Sequence, residues 1–269
     1  MYNGIKTLEL SDEELADFYE GSFKVDALRN QYLLLKSGND IVDKYRYDGK
    51  KFIKIKYPIF DSQILGKIKA KNIRQELYMD LLCNDRIPVK AALGIAGSGK
   101  TFLATAYALG ELQLGKYERL VILRNGITVQ GVPTLGTLPG DATDKLKNSC
   151  LFMGDIIGDI FFESLLEKDK IQIAYLGDMR SRSISNAIIL CNESQNLTTE
   201  LVKMIITRVG EGSQIIFDFD TTQIDHKNFE KDNGMIAMLN SLQGEELFGC
   251  VELDRIERSV VARLAELIK

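Results

Sequence analysis

The chain has 269 residues, of which 45% are hydrophobic and 27% are charged, and its net charge is −4. This composition is ordinary for a globular protein and excludes a disordered or fibrous one. No apolar run approaches the ~20 residues of a membrane-spanning helix, and the acidic N-terminus lacks the pattern of a secretory signal, so we expect a cytoplasmic protein with no membrane partner.

The first elements predicted along the chain form a small β-rich unit. Ser11 and Glu14 have the spacing of a capping box, which predicts a short acidic helix. Residues 32–35 are typical of a buried strand, and the pair Asp48-Gly49 between two strand-like arms indicates a hairpin. We therefore expect two domains: residues 1–60, a small N-terminal β-rich unit with a short leading helix, and residues 61–269, a larger domain.

A basic stretch, residues 44–74, spans the hairpin and the segment after it. It holds ten Lys or Arg and two Asp, a local charge of +8, which leaves 24 basic and 36 acidic side chains in the remainder. Aromatic residues interleaved with lysines are typical of a groove for single-stranded nucleic acid. The alternative is a hairpin with lysines such as Lys54 and Lys56 on its solvent face. Both interpretations stay open, and the aromatic residues concerned are Tyr45, Tyr47, Phe52, Tyr57 and Phe60.

The remainder of the chain alternates between helical and strand patterns. From Asp61 the apolar spacing becomes helical, and from Pro88 apolar runs alternate with amphipathic segments. The strand candidates read VKAALGIA, RLVILR, IQIAYLG, AIILCN, SQIIFDFD and CVELD. Strands that are apolar throughout and separated by helices predict an α/β fold with a mainly parallel sheet covered by helices on both faces.

A phosphate-binding motif follows the first of these strands. Residues 94–101 read GIAGSGKT, the complete G-x-x-x-x-G-K-[ST] pattern of a P-loop, placed between a strand and a helix as the motif requires. In such a loop consecutive backbone amides, here those of Ala96, Gly97, Ser98 and Gly99, face one phosphate at a helix N-terminus. Lys100 would reach the β- and γ-phosphates, and the Thr101 hydroxyl would ligate Mg²⁺. The motif predicts that the chain binds a nucleoside triphosphate together with Mg²⁺.

The motifs beyond the P-loop resemble those of the PhoH-like family of P-loop ATPases, nearly continuously over residues 70–268. The segments that carry the resemblance read KAKNIRQELYMDLL, LVILRNGITVQGVPTLGTLPGDATDKL, MRSRSISNAIILCNESQNLTTELVKMIITRVGEGSQIIFDFDTTQID and NGMIAMLNSLQGEELFGCVELDRIERSVVARLAELI. The resemblance implies a RecA-like core related to superfamily 1 helicases, ATPase activity, an assembly that is often a ring of six, and in some members an activity on RNA.

The β-rich stretch 24–60 resembles more weakly the small domain that precedes the ATPase in longer relatives, which also carry an N-terminal PIN ribonuclease. Only about twenty residues precede this stretch, fewer than a nuclease domain needs. We therefore expect the small unit here without the nuclease.

The resemblance also suggests roles for residues around the nucleotide. Gln75 matches the family's adenine-contacting glutamine, although Asn72 and Gln75 could instead form a capping box at a helix start. Arg124 ends a strand at the ligand-facing edge of the predicted sheet. The loop GTLPGD at 136–141 is expected near the nucleotide or a bound strand, and weaker candidates for reaching a neighbouring subunit's site are Arg180, Arg182 and Arg208.

Four further residues are predicted to act on the γ-phosphate. Glu193 is the candidate that positions or deprotonates the attacking water. Gln195 would sense the γ-phosphate, and Asp220, at the end of the next strand, would hold water or metal from the other side. Arg258, in the sequence ERS, matches an arginine that stabilises transition-state charge, or else it lies on the exposed first turn of the last helix.

Two residues depart from the family pattern. Asn192 stands where the family has the Asp before the catalytic Glu, and Phe219 stands where it has a Gly before the sensor Asp. Asn192 keeps an oxygen that can hold Mg²⁺ through a water but loses the negative charge, and outer-shell changes typically cost about 10–100-fold in affinity or activity. Phe219 would crowd the site or pack beneath it.

Two functions follow from these motifs. The first is a helicase-like oligomer, with a hexamer favoured, that hydrolyses ATP slowly and couples it to single-stranded RNA or DNA, RNA being preferred. The alternative is a nucleotide-binding pseudoenzyme or switch, whose hydrolysis is impaired because of Asn192 and Phe219.

Overall fold

The computed structural model describes residues 1–56, 58–124, 150–181, 183–224 and 233–259. The first 54 residues hold a four-stranded sheet in the order β1-β2-β3-β4. Strand β1 runs parallel to β2, and the other neighbours are antiparallel. The elements are β1 (Ile5–Glu9), α1 (Asp12–Glu20), β2 (Tyr32–Ser37), β3 (Asp40–Tyr47) and β4 (Phe52–Lys54).

Most of this small sheet agrees with the sequence-based expectations. Helix α1 begins after Ser11 with both hydrogen bonds of the predicted capping box to Glu14. Strands β3 and β4 form the predicted hairpin around Asp48, whose carboxylate accepts from the amides of Lys50 and Lys51 at 2.8 Å. Strand β1 was not predicted. It is five residues long and pairs with β2 across the intervening helix, so its strand conformation depends on a distant partner rather than on its own pattern.

The segment after the small sheet corrects one expectation. Residues 60–68 form a short antiparallel hairpin of β5 (Phe60–Ser62) and β6 (Gly66–Ile68), so the helical interpretation from Asp61 is wrong there. Ile64, Leu65 and Ile68 pack partly buried against the main core, which explains their apolar character without a helix. The helix α2 (Ile73–Cys83) begins only after them.

The main sheet has six strands in the order β12-β7-β11-β10-β8-β9, all parallel. Its strands are β7 (Val89–Gly94), β8 (Arg119–Arg124), β9 (Ile171–Tyr175), β10 (Ala187–Cys191), β11 (Gln214–Phe219) and β12 (Phe248–Leu253). The helices that follow α2 are α3 (Lys100–Gln113), α4 (Leu151–Ile157), α5 (Asp159–Glu167), α6 (Thr199–Ile206) and α7 (Gly234–Leu242).

Two apolar clusters show that helices cover both faces of this sheet. Helices α2 and α3 pack on one face, against residues such as Ile188 and Ile216. Helices α6 and α7 pack on the other, against residues such as Ile189 and Ile215. The predicted α/β fold, a RecA-like P-loop architecture preceded by a small β-rich sheet, is confirmed. Among the described residues no helix combines the length and apolar composition needed to cross a bilayer.

The small sheet is attached to the larger one by buried and half-buried polar contacts. The Asn30 side-chain amide donates to three backbone carbonyls ahead of and within β12, at 2.8 to 3.1 Å. The Tyr32 hydroxyl donates to Asp80 of α2 at 2.8 Å, and Arg46 pairs with the same carboxylate at 3.1 Å. The two sheets therefore share an interface, while the domain boundary at residue 60 stays a prediction.

Candidate nucleotide site

The P-loop joins the carboxyl end of β7 to the amino end of α3. Gly97 and Gly99 have φ values of 79° and 97°, in the region that favours glycine. A Cβ added to Gly99 would lie 2.8 Å from the Gln75 amide nitrogen, so no other residue fits there without displacement. The first amides of α3 have no partner within the helix. The loop therefore presents amides and the positive end of the helix dipole to one point, as an anion site requires.

Two polar side chains of the loop are buried. The Lys100 ammonium donates to the carbonyls of Gly94 at 2.7 Å and Ile95 at 3.1 Å, so it lies within the curve of the loop. The Ser98 hydroxyl is buried without a hydrogen-bond partner among the described residues. Because buried donors usually have a partner, Ser98 is an unusual feature of this loop.

Gln75 connects α2 to the loop. Its Nε2 donates to the Ser98 carbonyl at 2.9 Å, and its Oε1 accepts from the Lys71 amide at 2.8 Å. Asn72 caps α2 by accepting from the Gln75 amide at 3.0 Å, as the capping alternative predicted, but the reciprocal bond goes to Lys71 and not to the cap residue. The contacts that the structure gives Gln75 position the P-loop, and its adenine role stays a prediction.

A second group of side chains meets the start of α3 from the ends of β10 and β11. The Thr101 hydroxyl donates to the Asp218 carboxylate and accepts from the Asn192 amide at 3.3 Å. The same Asn192 amide donates to Asp218 at 3.2 Å. Lys100 lies 3.8 Å from the other Asp218 oxygen. Thr101, Asn192 and Asp218 thus form one hydrogen-bonded cluster beside the P-loop lysine.

Asp218 was not among the predicted site residues, although the sequence contains a signal for it. Asp218 is 3% exposed in a strand whose neighbours are apolar, and a charge in such a strand is costly unless it is paired. Burial raises the pKa of the Asp218 carboxyl above its usual range, and Lys100 and the Thr101 hydroxyl oppose that rise. A charged residue one position before the end of an apolar strand is therefore a sequence signal for this site, as Asp220 is.

Phe219 does not crowd the cluster. Successive residues of a strand point to opposite faces, so Phe219 lies on the face opposite Asp218. It is 1% exposed and packs among the residues under α6 and α7, including Leu93 and Cys191. Of the two alternatives for Phe219, packing beneath the site is the one that the structure supports.

Arg124 ends β8 at the predicted edge, but it contacts Asn192. Its Nη1 donates to the Asn192 side-chain oxygen at 2.5 Å, and its guanidinium lies 5.6 Å from the ring centroid of Phe152. Because that oxygen accepts from Arg124, the nitrogen of the same amide faces Asp218, which assigns the orientation of the side chain. Asn192 therefore links a cation on β8 to an anion on β11.

Glu193 follows Asn192 in an unusual conformation. Its φ and ψ are 56° and 45°, the left-handed region, which costs a non-glycine residue about 1–3 kcal/mol and is often found at functional sites. Its exposed carboxylate accepts from the Gln195 amide at 2.7 Å. The Gln195 oxygen lies 3.4 Å from the amide of Asp220, so Gln195 bridges the ends of two strands.

Asp220 is buried at the same edge, and one of its two carboxylate oxygens accepts hydrogen bonds. Its Oδ1 accepts from the amide and hydroxyl of Thr222 at 2.9 and 2.7 Å. Its Oδ2 has no hydrogen-bond partner among the described residues. This arrangement is suited to holding a water, and Asp220 makes no contact with Thr101 that would place it on the metal side.

Arg258 lies against the P-loop. A Cβ added to Gly97 would lie 3.4 Å from the Arg258 Cβ, and the Glu257 amide donates to the Gly97 carbonyl at 2.9 Å. Asn72 donates to the Glu257 carboxylate at 2.9 Å, which ties this segment to α2 as well. The exposed Arg258 side chain therefore starts beside the loop that would hold the phosphates.

The remaining predicted residues divide into two sets. Arg208 follows α6 and is joined through its carbonyl to Ile184, ahead of β10, at the edge of the sheet opposite the P-loop. The other positions lie outside the described residues: the GTLPGD loop at 136–141, Tyr57, Arg182 and the side chain of Arg180.

The residues at the P-loop fit a magnesium ion bound with a nucleotide. Mg²⁺ prefers oxygen ligands and is usually held by one or two protein groups together with phosphates and water. Thr101 and Asp218 offer such oxygens next to the phosphate cradle. Within the described ranges no group of three or more His, Cys, Asp or Glu side chains could hold a metal by itself.

The basic stretch 44–74 is partly neutralised by residues outside it. Five of its ten cations bind acidic side chains or a carbonyl: Lys44 with Glu76, Arg46 with Asp80, Lys54 with Asp43, Arg74 with Glu252 and Asp254, and Lys71 with the Glu257 carbonyl. Its local charge of +8 therefore overstates the field at the surface. The five exposed lysines that remain are Lys50, Lys51, Lys56, Lys67 and Lys69.

The aromatic residues of this stretch that the structure describes pack against other rings of the protein. The ring of Phe52 lies 5.5 Å from Phe18 and 4.9 Å from Tyr47, and Phe60 is buried 5.6 Å from Tyr107. Tyr45 lies 5.3 Å from Phe18. These contacts support the interpretation as a hairpin with lysines on its solvent face rather than as a row of stacking platforms.

Comparison with known proteins agrees with this geometry. The chain matches the family described as PhoH-like protein over residues 67–269. Protein PhoH2 of Bacillus subtilis (strain 168) is 33% identical over 98% of this chain and 64% of its own length. A PhoH-like protein of Synechocystis sp. is 32% identical over 74% and 61%, and a PhoH-like protein of Bacillus subtilis is 29% identical over 86% and 74%. The chain spans less than two thirds of the length of the first two relatives.

Proposed function

Since the chain belongs to the PhoH-like protein family, whose members are ATP-binding and ATPase-like, we propose that it binds Mg-ATP at the P-loop and hydrolyses it. We further propose that hydrolysis is coupled to single-stranded nucleic acid, RNA being preferred to DNA, in a helicase-like oligomer. The observation that carries the first proposal is the hydrogen bonding of Thr101 in the P-loop with Asn192 and Asp218, at the carboxyl ends of neighbouring strands.

Each part of the site has a task in this reaction. The loop amides and Lys100 bind the β- and γ-phosphates. Thr101 would help to hold the nucleotide's Mg²⁺, whose charge would offset the negative charge that develops on the phosphates. Glu193 orients or deprotonates the attacking water, and Gln195 holds the Glu193 carboxylate in place. Arg258 reaches from beside Gly97 toward the transferred phosphoryl group and stabilises its charge.

We expect slow hydrolysis by the isolated chain. Glu193 and Arg258 are exposed, and no other described part of the chain covers them. Preorganised charges act most strongly where water is excluded. A neighbouring subunit in a ring, with six subunits favoured, would supply the second wall of the cleft and accelerate the reaction.

Nucleotide binding and turnover test the first proposal. The purified chain should take up an ATP analogue with Mg²⁺ saturably, and Lys100→Ala should weaken that binding by about 10–100-fold because it removes a charged donor. Lys168→Ala, at an exposed helix end, is the matched control and should bind as the wild type does. Glu193→Gln should keep binding and lower turnover by about 10²–10⁴-fold.

The same measurements separate the alternative function. A wild-type chain that binds the analogue normally, yet shows no turnover that Glu193→Gln can lower, would be a nucleotide-binding switch rather than an ATPase. A chain with no saturable binding would contradict both functions.

The coupling to nucleic acid rests on the five exposed lysines and on membership of the family. Neutralised phosphates release counterions, so the affinity for single-stranded RNA should fall steeply as salt rises. Replacing Lys50 and Lys51 by Ala should weaken binding and flatten that salt dependence, whereas Lys168→Ala should change neither. Binding that ignores salt, or an ATPase rate that RNA does not alter, would argue against the coupling, and the mass of the complex in solution tests the oligomer.

A further inference from the structure

The buried carboxylate beside Thr101 of the P-loop lies on a different strand from the one that the family pattern indicates. In the pattern that the chain resembles, the residue before the catalytic Glu is an Asp at the end of the strand here named β10. In this chain that position is Asn192, and the buried carboxylate at the same level is Asp218 on β11. The charge is therefore present, one strand nearer to β7.

Strand register explains why a carboxylate at either position 192 or position 218 can lie beside Thr101. Cys191 pairs with Phe217 in the parallel ladder, so the next residues, Asn192 and Asp218, lie side by side. Both also belong to the face that carries α3, because their neighbours Leu190 and Ile216 pack there. Either side chain can thus reach the first turn of α3.

The hydrogen bonds show that Asp218 has the contacts of a metal-side carboxylate. It accepts from the Thr101 hydroxyl, and it lies 3.8 Å from the Lys100 ammonium. Asp218 is 3% exposed and Asn192 is 5% exposed, so the contact is shielded from bulk water. Asp220, the other buried carboxylate of this edge, contacts Thr222 instead.

The side-chain amide of Asn192 supplies the hydrogen-bond donor that suits the adjacent Asp218 carboxylate. Asn192 donates to Asp218 at 3.2 Å and accepts from Arg124 at 2.5 Å, which satisfies both ends of its side chain. A carboxylate at 192 would replace the donor and face Asp218 as a like charge at the same distance, which is unfavourable. Asn192 therefore complements Asp218 as a hydrogen-bond donor, and its presence is not simply the loss of the family's carboxylate.

Resting on the proposed Mg-ATP binding, we infer that Asp218 supplies the carboxylate that holds the nucleotide's Mg²⁺ on the Thr101 side, and that Asn192 is a positioning residue that orients it. The site keeps one negative charge, as the family pattern has, but that charge has moved from β10 to β11. Replacing Asn192 by Asp does not raise the Mg²⁺ affinity, because it places a second negative charge beside Asp218.

Metal affinity, measured apart from turnover, tests this inference. The probe is Mn²⁺, whose binding to the full chain is followed by electron paramagnetic resonance at saturating concentrations of a non-hydrolysable ATP analogue. Nucleotide affinity in EDTA is measured in parallel. Asp218→Asn should weaken Mn²⁺ binding by about 10–100-fold and should leave nucleotide affinity in EDTA equal or higher, because it removes a negative charge near the phosphates.

Three further variants make the test specific. Asp220→Asn is the matched control, a buried carboxylate two residues away on the same face, and it should keep the Mn²⁺ affinity of the wild type. The charge exchange, Asn192→Asp with Asp218→Asn, should recover most of the Mn²⁺ affinity that Asp218→Asn loses. Asn192→Asp alone should not raise that affinity.

The outcomes separate this inference from the proposal beneath it. Unchanged Mn²⁺ affinity in Asp218→Asn, a loss in Asp220→Asn instead, or a gain of tenfold or more in Asn192→Asp alone would each overturn the role of Asp218. Failure of the wild type to bind the nucleotide, in EDTA and with metal alike, would instead overturn the proposed function.

Discussion

Two buried polar clusters on the same face of the main sheet are built from the same elements. Near the carboxyl ends of the strands, Lys100 and Thr101 of α3 meet Asp218 of β11. Near the amino ends, Lys90 of β7 donates to Gln214 of β11, whose Nε2 donates to the Tyr107 hydroxyl of α3 at 2.8 Å. We refer to the first as the open cluster and to the second as the closed cluster.

The clusters differ in charge and in completeness. Lys90, Gln214 and Tyr107 are at most 2% exposed, and Gln214 joins the other two through a neutral amide. The open cluster has a carboxylate and a lysine that contacts loop carbonyls and that carboxylate, and the adjoining loop holds the Ser98 hydroxyl, which has no hydrogen-bond partner in the part of the chain that the structure describes.

Burial of polar groups therefore does not distinguish a site from a structural contact in this protein. The open cluster lies where parallel strands end and a helix begins, the edge at which α/β proteins bind ligands. The closed cluster lies at the other end, where the Gln214 amide joins the Lys90 ammonium to the Tyr107 hydroxyl. Position along the strand and remaining hydrogen-bonding capacity make the difference, and each prediction below changes one cluster and uses the other as its control.

The largest contrast is expected between the two lysines. Lys100→Met should lower the hydrolysis rate by about 10²–10³-fold, because it removes a preorganised positive charge from the phosphates, and should leave the midpoint of thermal unfolding nearly unchanged. Lys90→Met should leave nucleotide affinity within about twofold and act on stability alone. Calorimetry and an ATPase assay on both variants check this, and a loss of nucleotide affinity in Lys90→Met would remove the distinction between the clusters.

The pH dependence of unfolding should come from the closed cluster. Burial lowers the pKa of Lys90 from 10.5 to about 7, so between these values the unfolded chain binds more protons than the folded one. The free energy of unfolding should therefore rise as pH increases from about 7 to about 8.5, by roughly 2 kcal/mol. Above that pH the buried thiols of Cys191 and Cys250 oppose the rise, because burial raises their pKa values.

Chemical denaturation at several pH values measures this effect. Lys90→Met should flatten the rise. At pH 7 it should also raise stability by roughly 1–3 kcal/mol, because the cost of the buried amine disappears while the Gln214 oxygen loses its donor. An identical pH profile in wild type and variant would show that Lys90 is not the titrating group.

The smallest contrast is expected between two hydroxyls of α3. Tyr107→Phe removes the acceptor of a buried Gln214 donor and should cost about 1–3 kcal/mol of stability, with no change in the Mg²⁺ dependence of nucleotide binding. Thr101→Val should reduce the gain in nucleotide affinity that Mg²⁺ gives by about 10–100-fold. It should lower the free energy of unfolding by less than Tyr107→Phe does. Urea titrations measure the stability of both variants, and nucleotide titrations with and without Mg²⁺ measure the effect of the ion. A larger stability loss in Thr101→Val together with a Mg²⁺ effect in Tyr107→Phe would contradict the assignment of the clusters.

Local features of the chain were read correctly from the sequence. The P-loop is a contiguous strand, loop and helix, so its eight residues predict its shape without any distant partner. The capping box of α1 and the hairpin at Asp48-Gly49 are local in the same sense. The alternation of apolar strands with helices identified the parallel sheet, because a strand covered on both faces must be apolar throughout.

Features that depend on distant partners were read less well. Residues 60–68 have helical spacing yet form a hairpin, because packing against the core outweighs a weak local pattern. The basic stretch contributes less charge than its composition suggests, since Glu76, Asp80 and Glu252 lie outside the window and pair with it.

The sequence alone determined that this protein has an α/β core with a phosphate site between its first core strand and the following helix. Only the tertiary structure decided which carboxylate faces that site: register sets Asp218 beside Asn192 and Thr101, and strand alternation turns Phe219 away. The physical reason is that a backbone cradle is local, whereas a cluster of side chains from three elements exists only once their strands are aligned.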